Sequence, residues 1–134
     1  KNLTSNIKFF ILGVAFKGNP ETSDIRASTS IDIIRYLESR GFKNIVVYDP
    51  VVSKKTLADS KLRYVEIPEE GFKESSIVLT MNNNPSYQNL NLFKLVSIMK
   101  KPGMFFDAWH LFQQKEVESI PEILYQGLGT YKNC

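Results

Sequence analysis

Apolar residues along this chain fall into short, almost unbroken blocks, separated by stretches in which they recur every three or four positions. Ile7 to Leu12, Ile45 to Tyr48, Ile77 to Thr80 and Met104 to Phe106 are the blocks, and runs of that length without polar alternation predict strands buried on both faces. Between them, Ile31, Ile34 and Leu37 share one face of a helix, with Thr29 and Asp32 as a capping pair and Gly41 as the stop. Leu92, Leu95, Val96 and Met99 form a second helical stripe, ended by Lys101-Pro102-Gly103. Shorter helical pieces are expected at Thr56 to Ser60 and at Glu69 to Lys73, the latter opened by Pro68. Arg63 to Ile67 reads as a further short strand. Ile123-Leu124-Tyr125, followed by Gly127-Leu128-Gly129, reads as a last one. Strands alternating with helices predict an α/β Rossmann-like fold: a doubly wound, mostly parallel sheet of five or six strands with helices on both faces.

Ligands of such sheets gather beyond the carboxyl ends of the strands. Four loops should share that edge: Gly13 to Arg26, Asp49, Asn82 to Asn84, and Asp107 to His110. The first is the most informative. Gly13 permits a sharp turn after the strand, and Lys17 and Arg26 supply cations that suit a phosphate, Arg26 as a planar fork. Gly13-Val14-Ala15 has alanine where the second glycine of a dinucleotide fingerprint would stand. A phosphate held by side chains therefore fits better than a dinucleotide lying on the backbone.

GVAFK, the spaced acids and arginine of ETSDIR, and VVYDP at the end of the second strand together resemble the C-terminal domain of the UDP-glucose/GDP-mannose dehydrogenases. The resemblance runs from about residue 7 to 112. It implies the UDP-binding domain, residues 1–134, of a larger NAD-dependent enzyme that oxidises the C6 hydroxyl of a UDP-sugar to a carboxylate for surface polysaccharide. Phe16 and Lys17 would then contact the UDP-sugar, and Arg26 would reach across a domain interface to the NAD pyrophosphate. NAD itself would be bound mainly by an N-terminal domain, and a catalytic cysteine would lie in a middle domain, both upstream of the GVAFK turn. Those two domains, the UDP-sugar and further copies of the enzyme are the partners implied, in the cytoplasm. Two residues after the aspartate of the late strand, relatives often carry an arginine that helps hold the substrate. Trp109 stands there instead, where it can stack on a base or cover the core.

Composition narrows the rest. A chain of 134 residues that is 43% hydrophobic and 23% charged is a soluble globular domain, and no apolar run reaches the length of a membrane helix. The net charge of +3 is spread out; Lys54-Lys55 and Lys100-Lys101 read as solvated surface rather than a nucleic-acid track. The single cysteine, Cys134, lies in a polar tail and reads as an inert thiol, and the lone His110 cannot make a zinc site. No metal site and no catalytic residue is expected.

Plainer readings stand beside these. Lys17 can be a solvated loop lysine, and Arg26 can pair with Asp24 or Glu21 on the surface. Glu21 and Asp24 suit the helix that follows better than acid/base work. Asp49, placed where a Rossmann acid would bind a ribose, is better explained as a turn-forming Asp-Pro. A free-standing, non-enzymatic nucleotide-binding or regulatory module is the alternative function. A phosphoacceptor role for Asp49 would need acids at the end of the first strand, where Gly13-Val14 stands.

Overall fold

A computed structural model of the chain describes residues 6–18 and 20–127. Its elements run β1 (Phe9–Leu12), α1 (Thr29–Ser39), β2 (Ile45–Tyr48), α2 (Lys54–Asp59), α3 (Pro68–Phe72), β3 (Ile77–Thr80), α4 (Leu92–Ser97), β4 (Gly103–Asp107) and β5 (Ile123–Gly127). Short 3-10 turns at Pro85–Asn89 and Gln114–Glu116 precede α4 and β5.

The strands form one five-stranded sheet in the order β2-β1-β3-β4-β5, and each neighbouring pair is parallel. Register brings the strand ends level: Leu12 pairs with Tyr48 on one side and Thr80 on the other, and Thr80 pairs with Asp107. The loops after β1, β2, β3 and β4 therefore leave from one edge, as the alternation of strands and helices predicts.

Each face carries its own core. Phe10, Leu12 and Val78 pack with Phe72 of α3 and with Leu92, Leu95 and Val96 of α4. Phe9, Ile11 and Val47 pack on the opposite side with Ile34 of α1 and Leu57 of α2. Alternate β1 residues thus point to opposite helical layers, and each fully buried side chain contributes roughly 1.5–3 kcal/mol of transfer free energy. The fit is tight where α3 crosses β1. A Cβ on Gly71 would fall inside the Phe10 ring.

Two expectations change. Arg63 to Ile67 is not a strand; Tyr64 makes a single parallel bridge to Val47, framed by Val47 N donating to Arg63 O and Val65 N to Val47 O. Pro68 fixes the start of α3, so Ile67 already serves as its N-cap and is 45% exposed. The ladder has no room beyond one rung. The cap of α1 is Ser28 rather than Thr29: Ser28 is extended and its hydroxyl accepts from Ile31 N. The same hydroxyl donates to Val14 O at 2.7 Å, which ties the helix start to the β1 turn. The last strand is present as the β5 edge; Leu128, Gly129 and the tail with Cys134 lie outside the described residues.

Candidate functional site

The turn after β1 is built on a glycine and closed by an aspartate. Gly13 has φ +106°, and a Cβ there would lie 2.6 Å from Asn82 Oδ1, so backbone conformation and space both require glycine. Asp49, at the end of β2 and only 8% exposed, turns its carboxylate inward. Its Oδ2 accepts from Val14 N at 2.8 Å and Ala15 N at 2.9 Å; its Oδ1 accepts from Val51 N at 2.9 Å and Val52 N at 3.1 Å. The second pair is the Asp-Pro turn foreseen in the sequence. The first pair was not foreseen, and it places an internal anion where the turn's amides converge.

Several further amides of this loop are occupied as well. Gly13 N donates to Tyr48 O and Phe16 N to Asp24 O, while Gly18 N donates to Asn83 Oδ1 at 3.1 Å. Ser30 Oγ and Ser28 Oγ cover the carbonyls of Gly13 and Val14. These backbone donors are used within the fold, which leaves the loop's side chains as its main polar groups facing outward.

Lys17 and Arg26 are the cations this loop carries. Lys17 holds its ammonium 5.4 Å from the centre of the Phe16 ring, a cation–π contact; among the described residues it forms no ion pair. Phe16 is 43% exposed and, with Asp24, Arg26 and Ala27, lines an open hollow of about 300 Å³. Arg26 is held by Asp24 through both prongs of its guanidinium, with its side chain 89% exposed. These hydrogen bonds pull the Asp24 carboxyl down to about 2 and raise Arg26 above its ordinary value.

Glu21 does not join Arg26; its Oε2 accepts from Asn84 Nδ2 at 3.0 Å. The Asn82–Asn84 loop that follows β3 was legible only as polar. In space it is the partner of the β1 loop: Asn82 Nδ2 donates to Ala15 O at 3.2 Å and Asp49 Oδ2 at 3.3 Å. A run of three asparagines directly after a buried strand was the available signal.

The fourth loop is ordered by Asp107, which is fully buried. Its carboxylate accepts from Thr80 Oγ1 at 3.0 Å, Phe112 N at 2.9 Å and the Tyr125 hydroxyl at 2.8 Å. Asp107 thus caps the segment after it and has no exposed atom to offer a ligand. Trp109 is not a core residue: it is 44% exposed and its indole N–H donates to Met81 O at 2.9 Å. Met81 N in turn donates to Leu12 O, so Trp109 stands on the Met81–Asn84 segment that also holds the Lys17 loop. His110 is exposed, with φ +58°. The lysine pairs are separate: Lys54 pairs with Glu66 and Lys55 with Asp59, while Lys101 covers the carbonyls of Ser97 and Met99. Among the described residues no group of His, Cys, Asp and Glu could hold a metal ion, and no helix is long and apolar enough to cross a membrane.

Residues 10–114 match the family model described as the UDP-glucose/GDP-mannose dehydrogenase family, UDP binding domain. A UDP-glucose 6-dehydrogenase of Rickettsia bellii is 29% identical over 113 residues, which cover 82% of this chain and 25% of that protein. One from Bacillus subtilis is 26% identical over 121 residues, covering 89% and 25%. The chain thus spans about a quarter of the length of these curated relatives. Among solved structures, the NDP-N-acetyl-D-galactosaminuronic acid dehydrogenase of Methanosarcina mazei superposes with a TM-score of 0.75 at 19% identity, over 94% of this chain and 25% of that one, a likeness of fold.

Proposed function

Because the chain belongs to the UDP-glucose/GDP-mannose dehydrogenase family through its UDP-binding domain, we propose that it clamps the nucleotide diphosphate of a UDP-sugar in an NAD-dependent UDP-sugar 6-dehydrogenase. The observation that carries this reading is the internal use of the amides at the start of the β1 turn. With the amides of Val14 and Ala15 committed to Asp49, the anion is met by the Lys17 ammonium. An ammonium is a compact charge that follows a phosphate without demanding one geometry. Phe16 gives the sugar or base an apolar wall, and Trp109 offers an indole face pinned by its N–H.

NAD fits this domain poorly as a principal ligand. The turn has no glycine fingerprint, and the Val14 and Ala15 amides are not free for a pyrophosphate; the exposed fork of Arg26 is the group offered to a cofactor held by another domain. The chemical step then belongs to a cysteine outside this domain, with the present chain orienting the substrate. The domain alone is accordingly inactive, and the whole enzyme works as a cytoplasmic homo-oligomer supplying surface polysaccharide.

The experiment is calorimetric titration of UDP into the full-length protein and its Lys17→Ala variant. One charge-assisted contact corresponds to about ten- to hundredfold in affinity, and the KM for the UDP-sugar should rise alongside while that for NAD stays. Unchanged UDP affinity would remove Lys17 from the site. A free-standing binding module predicts the same UDP binding with no NAD-dependent turnover by the full-length protein, so assaying NADH formation separates the two.

A further inference from the structure

The side chains of Asn82, Asn83 and Asn84 grip the β1 loop at Ala15, Gly18 and Glu21, three positions apart each time. Lys17 sits between the first two grips. The loops touch closely enough that a Cβ on Gly18 would fall on the backbone of Asn84.

Resting on the reading above, we propose that Asn83, Asn84 and Glu21 are positioning residues: they hold the loop in the shape from which the Lys17 ammonium meets the diphosphate of the bound nucleotide. Asn84 is 2% exposed, and its amide is fixed at both ends. Its Oδ1 accepts from Ser86 N at 2.9 Å, capping the turn at Pro85–Asn89, and its Nδ2 is thereby directed at Glu21. Glu21 itself is the telling member. A carboxylate four residues from the proposed phosphate cation opposes an incoming anion, so its charge works against binding. Its contribution lies in its oxygen as an acceptor, which keeps the loop closed on the asparagines.

Acceptor and charge can be separated, because Glu21→Gln keeps the first and removes the second. In UDP titrations of the full-length protein, Glu21→Ala should weaken binding about three- to tenfold, while Glu21→Gln binds as well as wild type or more tightly. A Glu21 acting only through its charge predicts tighter binding in both variants. Tighter or unchanged binding by Glu21→Ala, or equal weakening by the two, overturns the proposal. Glu21 is exposed, so neither variant should perturb folding, and thermal melts check this.

A second arm asks whether the grip acts through the lysine. The losses in Asn83→Ala and Lys17→Ala should not multiply: the double variant should bind UDP within about twofold of Lys17→Ala alone. Multiplying losses would overturn it. Should Lys17→Ala leave UDP affinity unchanged, the functional reading falls and the grip's role falls with it; a Lys17→Ala loss with Glu21→Ala unaffected removes the grip alone.

Discussion

Arg26 meets Asp24 edge-on, with Nε 2.9 Å from Oδ1 and Nη2 2.8 Å from Oδ2. The Arg26 backbone N–H adds a third bond to the same carboxylate, so the arginine is oriented before any ligand arrives. If that fork is what reaches the cofactor, Arg26→Lys should already lower NAD affinity about tenfold, since an ammonium retains the charge and loses the paired donors. UDP affinity should not move. Equal NAD constants for wild type and Arg26→Lys would confine Arg26 to its partnership with Asp24. The pair should also be robust to acid: Asp24 is depressed to about 2, so its contribution is present above the ordinary carboxylate pKa and is lost only as pH falls through about 2.

Asp49 should matter for folding rather than for binding. Asp49→Ala leaves the amides of Val14, Ala15, Val51 and Val52 without their acceptor in a buried site, which should cost upwards of about 3 kcal/mol. Asp49→Asn keeps one oxygen and should fall between that and wild type. Urea unfolding of the three proteins measures this. A loss below about 1 kcal/mol in Asp49→Ala would mean that the turn holds its shape without the carboxylate.

Tyr125 links β5 to Asp107, and its ionisation should weaken that link. Burial first, then the hydrogen bond to Asp107 and that carboxylate's charge, raise the phenol well above its ordinary 10.0. The folded state therefore favours the protonated phenol. Its contribution is complete below about pH 10 and is lost as pH rises beyond it, because the unfolded chain releases the proton first. Tyr125→Phe should be less stable than wild type at neutral pH and lose less on going from about pH 9 to about pH 11. Denaturant midpoints at the two pH values test this; parallel losses would contradict it.

Tyr87 presents the opposite case. It is 1% exposed, and its hydroxyl has no hydrogen-bond partner among the described residues. Burying an unmatched hydroxyl opposes folding. Tyr87→Phe removes it without altering the ring's packing, and should raise stability by about 1 kcal/mol, seen as a higher melting temperature. A lower one would reveal a partner such as an ordered water.

The fold was legible because its strands are written as apolar blocks: Ile45 to Tyr48 and Ile77 to Thr80 carry no polar interruption and occur with the bounds expected. Tyr64 misled because β-rich composition says nothing about how many rungs a following proline leaves free. At the site, Gly13, Lys17 and Arg26 were visible as residue types suited to their turn and charge. What pairs with them was not. Asn84 lies 63 positions from Glu21 and Asp49 lies 35 from Val14, and contacts at such range exist only once the parallel register has brought the loops to one edge. Ser28 displaced Thr29 as a cap for the same reason, since a hydroxyl bonded to Val14 across the turn is decided by tertiary position rather than by local pattern.

Asp49 gives the β1 turn a resident counter-ion. A glycine placed at Ala15 would leave that turn's amides still bonded to Asp49, so a graft of the dinucleotide fingerprint alone should gain no cofactor. The carboxylate would have to be removed too, and Asn82 and the Val51–Val52 amides would then need new partners. Discrimination against a dinucleotide at this turn would then rest on a residue whose oxygens are turned toward its own backbone.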